Sequence, residues 1–313
     1  MSAIRPLVVE VQEYLSDRRR LGFSLAREGT QLLAFARFAD ARGFDGHLDE
    51  DLAIAWAQHG QPHRLTSARR LDTVRRFCRY RLQFDPQTEI PAVGLFGPST
   101  RRLTPHIYER HEIDALLSAA TRLPCPKGVR GATYATLFGL LAATGLRLSE
   151  ALSLRRGDVD LSEGLLTLKK TKFARSRVVP LHPSTTQALM DYVNIRDRAI
   201  PAPHHVDMFF LASHGKKLDS RTVEYTFDKL RKQLGWRARG HHPAPRLHDM
   251  RHTFICLRLL TWYREGINVN TAILSLSTYV GHSQVTDTYW YLTGVPELMT
   301  IAAQRFERFT AGG

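Results

Sequence analysis

Cysteine is scarce. The 313 residues hold three, Cys78, Cys125 and Cys256, odd in number and far apart. That excludes a disulfide-stapled scaffold and a cysteine zinc site, and it suits a reducing compartment. Long apolar runs are missing too: the longest, such as residues 137–143, fall far short of the ~18 residues that a membrane span needs. Residues 1–6 hold no secretory hydrophobic segment. A cytoplasmic protein that meets no membrane is expected. Lysine is rare as well, with eight in the chain and none in the first hundred residues.

What is plentiful is arginine. Lys plus Arg number 44 against 30 Asp plus Glu, a formal net charge of +14. Residues 1–100 contribute +2, from 14 arginines and 12 acids, and residues 101–313 contribute +12, from 30 bases and 18 acids. A basic excess of this size points to a polyanion such as nucleic acid, with the later two-thirds carrying most of the field. A ribosome-associated or merely solubilised protein is the plainer alternative.

Hydrophobic spacing divides the chain. Residues 6–84 read as a four-helix unit, with Leu7, Val8, Val11 and Leu15, then Leu25, Leu32, Phe35 and Phe38, then 52–59, then Leu71, Val74, Cys78 and Leu82. Arg69, Arg75, Arg76 and Arg79 cover the other faces of the fourth helix, as a solvated face or a phosphate-contacting one. Residues 1–85 form the first domain in this reading. Residues 86–105, rich in proline and glycine, form a linker. From 106 to 313 a mainly helical domain with a small sheet is expected: helices at 112–120 and 134–143, strands at 165–168 and 177–181 around a basic turn, and helices at 184–196, 223–234, 247–265 and 270–279.

Four segments carry candidate chemistry. In Thr144-Gly145-Leu146-Arg147-Leu148-Ser149-Glu150, Arg147 opens a helix and shares a face with Glu150. Helix N-termini and arginine both attract phosphate oxygens, although a surface Arg–Glu pair has the same spacing. The turn at 169–177 gathers Lys169, Lys170, Lys172 and Arg175. It is either a solvated hairpin tip or a place from which a lysine protonates a leaving oxygen. His248, Arg251 and His252 lie on one stretch of helix. Two histidines four apart suit a metal pair, but the third ligand and catalytic glutamate of a zinc hydrolase are missing. Gly281-His282 is followed by Tyr289-Trp290-Tyr291, read as packing residues or as aromatics that stack on bases.

In order and spacing these segments together resemble the tyrosine recombinase (phage integrase) family over about residues 106–300, and the preceding helical unit resembles that family's core-binding domain. The resemblance implies a mainly α fold with a small β-sheet, a helical core-binding domain plus a mixed α/β catalytic domain. It implies DNA strand cleavage and rejoining through a 3′-phosphotyrosine intermediate, as in a site-specific recombinase or integrase of a mobile element. Tyr291 would be the nucleophile, with Tyr289 its rival, and His248 the general base. Arg147 and Arg251 would clamp the phosphate, Lys172 would be the acid, His282 a phosphate contact and Glu150 a supporting acid. Glycines usual beside the turn lysine are replaced here by Thr171 and Phe173, which leaves Lys170 or Lys169 as substitutes for Lys172. Arg69, Arg76, Arg79, Lys169, Lys170 and Arg175 are the expected DNA contacts. No cofactor or metal is expected. The partners implied are double-stranded DNA with paired recombination sites and a homotetramer on that DNA, nucleoid-associated in a bacterial cytoplasm. The tail at 296–309, with Leu298, Ile301, Ala302 and Phe306 at helical spacing, docks on a neighbouring subunit or on its own domain. A type IB topoisomerase, a telomere-resolving enzyme, or a DNA-binding derivative without cleavage activity would share much of the pattern.

Overall fold

The computed structural model describes residues 5–44, 46–100, 102–125, 129–169, 176–200 and 207–294. The chain divides into two compact units, Met1–Arg102 and Leu103–Gly313. The division falls inside the segment expected as a linker. Among the described residues no helix is long and apolar enough to cross a membrane.

The first unit is four helices: α1 (Leu7–Arg20), α2 (Ala26–Asp40), α3 (Glu50–Gln58) and α4 (Arg64–Arg81). Each turns an apolar stripe inward, and Leu7, Val11, Leu32, Phe35, Trp56, Leu71, Val74 and Phe77 meet in one core. Pro6 offers no capping side chain to α1. Instead Asp40, at the far end of α2, accepts from the backbone N–H groups of Leu7 and Val8 at 2.8 and 3.2 Å, satisfying donors that no intrahelical carbonyl reaches. Arg75, expected on an outer face of α4, is buried and donates to the carbonyls of Pro91 and Ala92 at 2.8 and 2.6 Å. A guanidinium can go inside when it is given carbonyl acceptors, and periodicity alone does not show those acceptors. Arg69, Arg76 and Arg79 are exposed.

The second unit begins with α5 (Arg110–Thr121), α6 (Val129–Thr144) and the six-residue α7 (Leu148–Ser153). Three antiparallel strands follow in the order β1 (Val159–Asp160), β2 (Leu165–Leu168), β3 (Arg177–Pro180), with Leu168 paired to Arg177. Then come α8 (Pro183–Ala199), α9 (Ser220–Gln233), α10 (Asp249–Arg264), α11 (Val269–Val280) and α12 (Thr286–Gly294). The two-residue β1 is too short to leave a periodic signal. The stretch 208–211 forms isolated bridges from Met208 to Arg155 and from Leu211 to Lys217.

Helix α6 is apolar around its circumference, and a helix of that kind belongs in a core. Its Tyr134, Leu137, Phe138 and Leu141 pack with Leu116, Leu166, Leu189 and Phe227. A second cluster joins α10, α11 and α12 through Ile255, Leu259, Leu276, Val280 and Tyr291.

Candidate active site

Arg147 is the N-cap of α7 rather than a residue of its first turn. Three positions on, Glu150 accepts from the Arg147 backbone N–H at 3.0 Å and from its Nη1 at 2.9 Å. The Arg-x-x-Glu spacing thus supplies the returning half of a capping box, in which the N3 carboxylate satisfies the N-cap N–H. It also fixes the guanidinium, whose Nη2 donates to the carbonyl of Gly281 at 2.9 Å.

Gly281 ends α11 in the left-handed region, at φ 70°. The His282 N–H then reaches back to Ser277 O at 2.9 Å, the six-to-one bond of a Schellman ending. This displays His282 directly after the turn. Its Nδ1 lies 2.7 Å from Thr288 Oγ1 on α12.

Arg251, on α10, is 3% exposed. It donates to Gly145 O and Val280 O, both at 2.7 Å. Burial first, and then the charge of Arg147, lower its pKa to about 10, so it stays charged at neutral pH.

The sequence missed a third guanidinium here. Arg177, the first residue of β3, donates to both Glu150 oxygens at 3.1 and 2.9 Å and to the carbonyls of Tyr279 and Val280 at 2.9 and 3.1 Å. Burial pushes the Glu150 pKa up, but the hydrogen bonds of Arg177 and Arg147 and their charges outweigh it and hold it below the usual carboxylate range. Three guanidiniums against one carboxylate leave this cluster with charge +2 (3 − 1), a preorganised place for an anion. Arg147 keeps its side chain 28% exposed, so it is the most open of the three to a ligand.

The two tyrosines part company. Tyr289 is 39% exposed, whereas Tyr291 is 3% exposed and sits in the cluster of α10, α11 and α12. The Tyr291 hydroxyl lies 2.6 Å from Nδ1 of His252, a residue that sequence reasoning named only as half of a metal pair. Its ring is parallel to that of His282, with centroids 6.4 Å apart, and the phenolate it forms on ionising would favour the charged form of Arg251. His248, at the start of α10, reaches solvent. Protein atoms crowded about its ring, and then the charges of Arg251 and Arg246, push its pKa down to about 4.

Arg147, Glu150, Arg251, His282 and Tyr291 are therefore brought together, with Arg177 and His252 added, and His248 feels the charges of Arg251 and Arg147. A cleft of about 700 Å³ opens beside Arg147 and is lined by Ser149, Arg155, Thr167 and Lys169 among others. Lys169 Nζ lies 2.6 Å from Asp158 Oδ1. Lys170, Lys172 and Arg175 lie outside the described residues, as does the tail at 296–309. No group of three or more His, Cys, Asp or Glu residues suited to a metal occurs among the described residues.

The model of the phage integrase family matches residues 107–295. The Sinorhizobium fredii protein y4rB, an integrase/recombinase by name, is 43% identical over 304 residues, 95% of this chain and 96% of that protein. Tyrosine recombinase XerC of Chlamydia trachomatis serovar L2 is 29% identical over 226 residues, covering 72% and 66% of the two chains. Among solved structures, the XerH site-specific recombinase bound to its palindromic difH substrate has a TM-score of 0.66 at 18% identity, covering 96% of this chain and 85% of that one. The Tn1549 transposon integrase in complex with transposon right end DNA also has a TM-score of 0.66, at 16% identity and 97% and 100% coverage. These two likenesses speak for the fold, whereas the family match spans more than half the chain and y4rB nearly all of it. The chain belongs to the phage integrase family, the tyrosine recombinases.

Proposed function

We propose that this protein is a site-specific DNA recombinase of a mobile element, which cuts and rejoins double-stranded DNA through a 3′-phosphotyrosine intermediate. The observation that carries the reading is the single cradle in which Arg147 and Arg251 bond to successive carbonyls, Gly281 and Val280, of the turn that presents His282. Tyr291 adjoins that cradle through its stacking with His282.

A phosphodiester resists attack because it is anionic and its alkoxide leaves poorly. The guanidiniums of Arg147 and Arg251 neutralise the non-bridging oxygens and stabilise the charge added in the transition state. Tyr291 Oη attacks phosphorus, and its proton passes to His248, the general base implied by the resemblance, directly or by way of a neighbouring group. The bond from phosphorus to the 5′ oxygen breaks, and Lys172 protonates that oxygen. The products are a 3′-phosphotyrosyl ester and a 5′ hydroxyl. The ester keeps the diester's bond energy, so a second 5′ hydroxyl reseals it without ATP. Arginines and a lysine do the electrostatic work, so no metal is required.

Exchange between two duplexes breaks four strands, and one nucleophile per subunit then implies a tetramer on paired sites. Exposed Arg69, Arg76 and Arg79 fall on one side of α4, within about 80° of arc at 100° per residue, which suits contact with a phosphate backbone. Lys169, which lines the cleft, would add a contact there, and Lys170 and Arg175 are proposed as further DNA contacts. A bacterial cytoplasm, on the nucleoid, is the setting proposed for it.

A nicked duplex bearing the recombination site tests the reading, because it traps the covalent adduct. Tyr291→Phe abolishes the adduct while DNA binding survives, and Tyr289→Phe leaves it. The reverse pattern would reassign the nucleophile.

A further inference from the structure

The Tyr291 hydroxyl has a definite partner. It lies 2.6 Å from His252 Nδ1, short for an O–H donor, and inside an apolar cluster where little water competes. With the phenol donating, Nδ1 accepts and the imidazole carries its own proton on Nε2. The His252 ring stands edge-on to that of His248, with centroids 5.0 Å apart and planes at 88°, and His248 reaches solvent. Buried phenol, inner imidazole and outer imidazole are thus successive neighbours from the core to the surface.

We infer that His252 is a catalytic residue, the group that takes the proton from Tyr291 during cleavage and gives it back during rejoining, with His248 as its link to solvent. The inference rests on the reading of Tyr291 as nucleophile. As Oη forms its bond to phosphorus, the O–H bond breaks and the proton moves to Nδ1, leaving a His252 cation. The phosphorus–oxygen bond on the 5′ side breaks, and that oxygen takes a proton from Lys172. In rejoining, the 5′ hydroxyl attacks and returns its proton to the neutral Lys172, the phenolate departs, and the His252 cation reprotonates it.

The surroundings keep the resting ring unprotonated. Burial first, and then the charges of His248, Arg246, Arg251 and His242, push the His252 pKa down to about 2. The ring is therefore neutral at pH 7, with its lone pair available. A phosphodiester bound between Arg147 and Arg251 places negative charge opposite those cations, which raises the basicity of His252 at the moment of use. Trp290 and Tyr291 pack around the same ring. His248 is more exposed than His252, so it suits onward transfer rather than first acceptance.

The test is single-turnover cleavage of a nicked duplex by the full chain. In His252→Asn an amide replaces the ring and accepts a hydrogen bond but not a proton. Adduct formation should slow about 100-fold, the lower end of general-base effects, with DNA affinity unchanged. The residual rate should rise with hydroxide concentration, whereas the native rate stays flat over about pH 6.5 to 9. Placing 3-fluorotyrosine at position 291, which lowers the phenol pKa, should recover part of the loss, a response that a purely structural defect would not give. A native rate and a flat profile in His252→Asn, with Tyr291→Phe inactive, overturn the inference and leave the nucleophile in place. An adduct in Tyr291→Phe overturns the underlying reading as well. If His252→Asn does not bind DNA, the native profile decides: a rate proportional to hydroxide through neutrality means that the phenol ionises to solvent and His252 takes no proton.

Discussion

The carbonyl oxygen of Val280 accepts hydrogen bonds from two guanidiniums, Arg251 Nη2 at 2.7 Å and Arg177 Nη2 at 3.1 Å. One peptide oxygen at the end of α11 therefore fixes a residue from α10 against one from β3. The next carbonyl, Gly281, takes Arg147. The last carbonyls of a helix lack intrahelical partners and form the negative end of its dipole, so three cations collect there without neutralising one another. Glu150 balances one of them, and the remaining positive charge is available to a phosphate.

Arg177 is the positioning residue of this arrangement. Arg177→Ala leaves Glu150 buried with one of its two arginine partners; stranding a buried charge altogether costs about 3–5 kcal/mol, and with Arg147 still in place the loss should fall below that range. Chemical denaturation should register that loss in the second unit, and adduct formation should fall with it. Arg177→Lys should recover part of the stability but little activity, because an ammonium cannot span two carboxylate oxygens and two carbonyls at once. Native cleavage by the alanine variant would mean that Glu150 holds Arg147 unaided.

Gly281→Ala should be worse than its backbone strain. At φ 70° an L side chain costs about 1–2 kcal/mol, and here a Cβ would also collide with the Arg177 guanidinium. Gly266 provides the control, since at φ 76° it has open space around a Cβ. Gly266→Ala should show the backbone cost alone and keep activity, while Gly281→Ala loses adduct formation. Equal losses in denaturation midpoint and equal activity for the two variants would argue against the crowded turn.

Stability should climb with pH from about 4 to 6.5, for a reason that can be traced to α10. His252 is held at about 2 and His248 at about 4 in the folded chain, against about 6.5 when unfolded. Below 6.5 the unfolded chain binds protons that the folded chain refuses, so folding weakens as pH falls through that window. Glu150 acts lower down. Its folded pKa is below the usual carboxylate range, so its contribution is complete above about 4.3 and is lost as pH falls further. Urea midpoints at a series of pH values should show the upper slope shrinking in His252→Asn and the lower one in Glu150→Gln.

The elements that a period can reveal were legible. Apolar spacing gave the helices, and the order of the four segments pointed to the family. What periodicity could not supply were partners distant in sequence. Arg177 was legible only as the start of a strand, because its acceptors, Glu150 and the carbonyls of Tyr279 and Val280, come together only in the fold. His252 follows Arg251 directly and looked like half of a metal pair, because nothing local indicates that α12 returns Tyr291 to it. Arg75 shows the same blindness in the other direction, an arginine expected outside that is buried on two carbonyls.

The turn lysines can be separated by chemistry. Lys169 Nζ is engaged by the Asp158 carboxylate at 2.6 Å. Burial would raise the pKa of Asp158, yet the hydrogen bond and charge of Lys169 hold it below the usual range. An ammonium tied to a carboxylate is a poor candidate for proton delivery, which favours Lys172. A bridging sulfur in place of the 5′ oxygen decides, since a thiolate departs without a proton. Lys172→Ala should cleave the oxygen substrate about 100-fold or more below native, as expected for loss of a general acid, and should approach the native rate on the sulfur substrate. Lys169→Ala should fall modestly and equally on both, because what it loses is charge beside the cleft. If sulfur rescues Lys169→Ala and not Lys172→Ala, the acid is the lysine at the end of β2, and the Asp158 pair must open before the strand is cut.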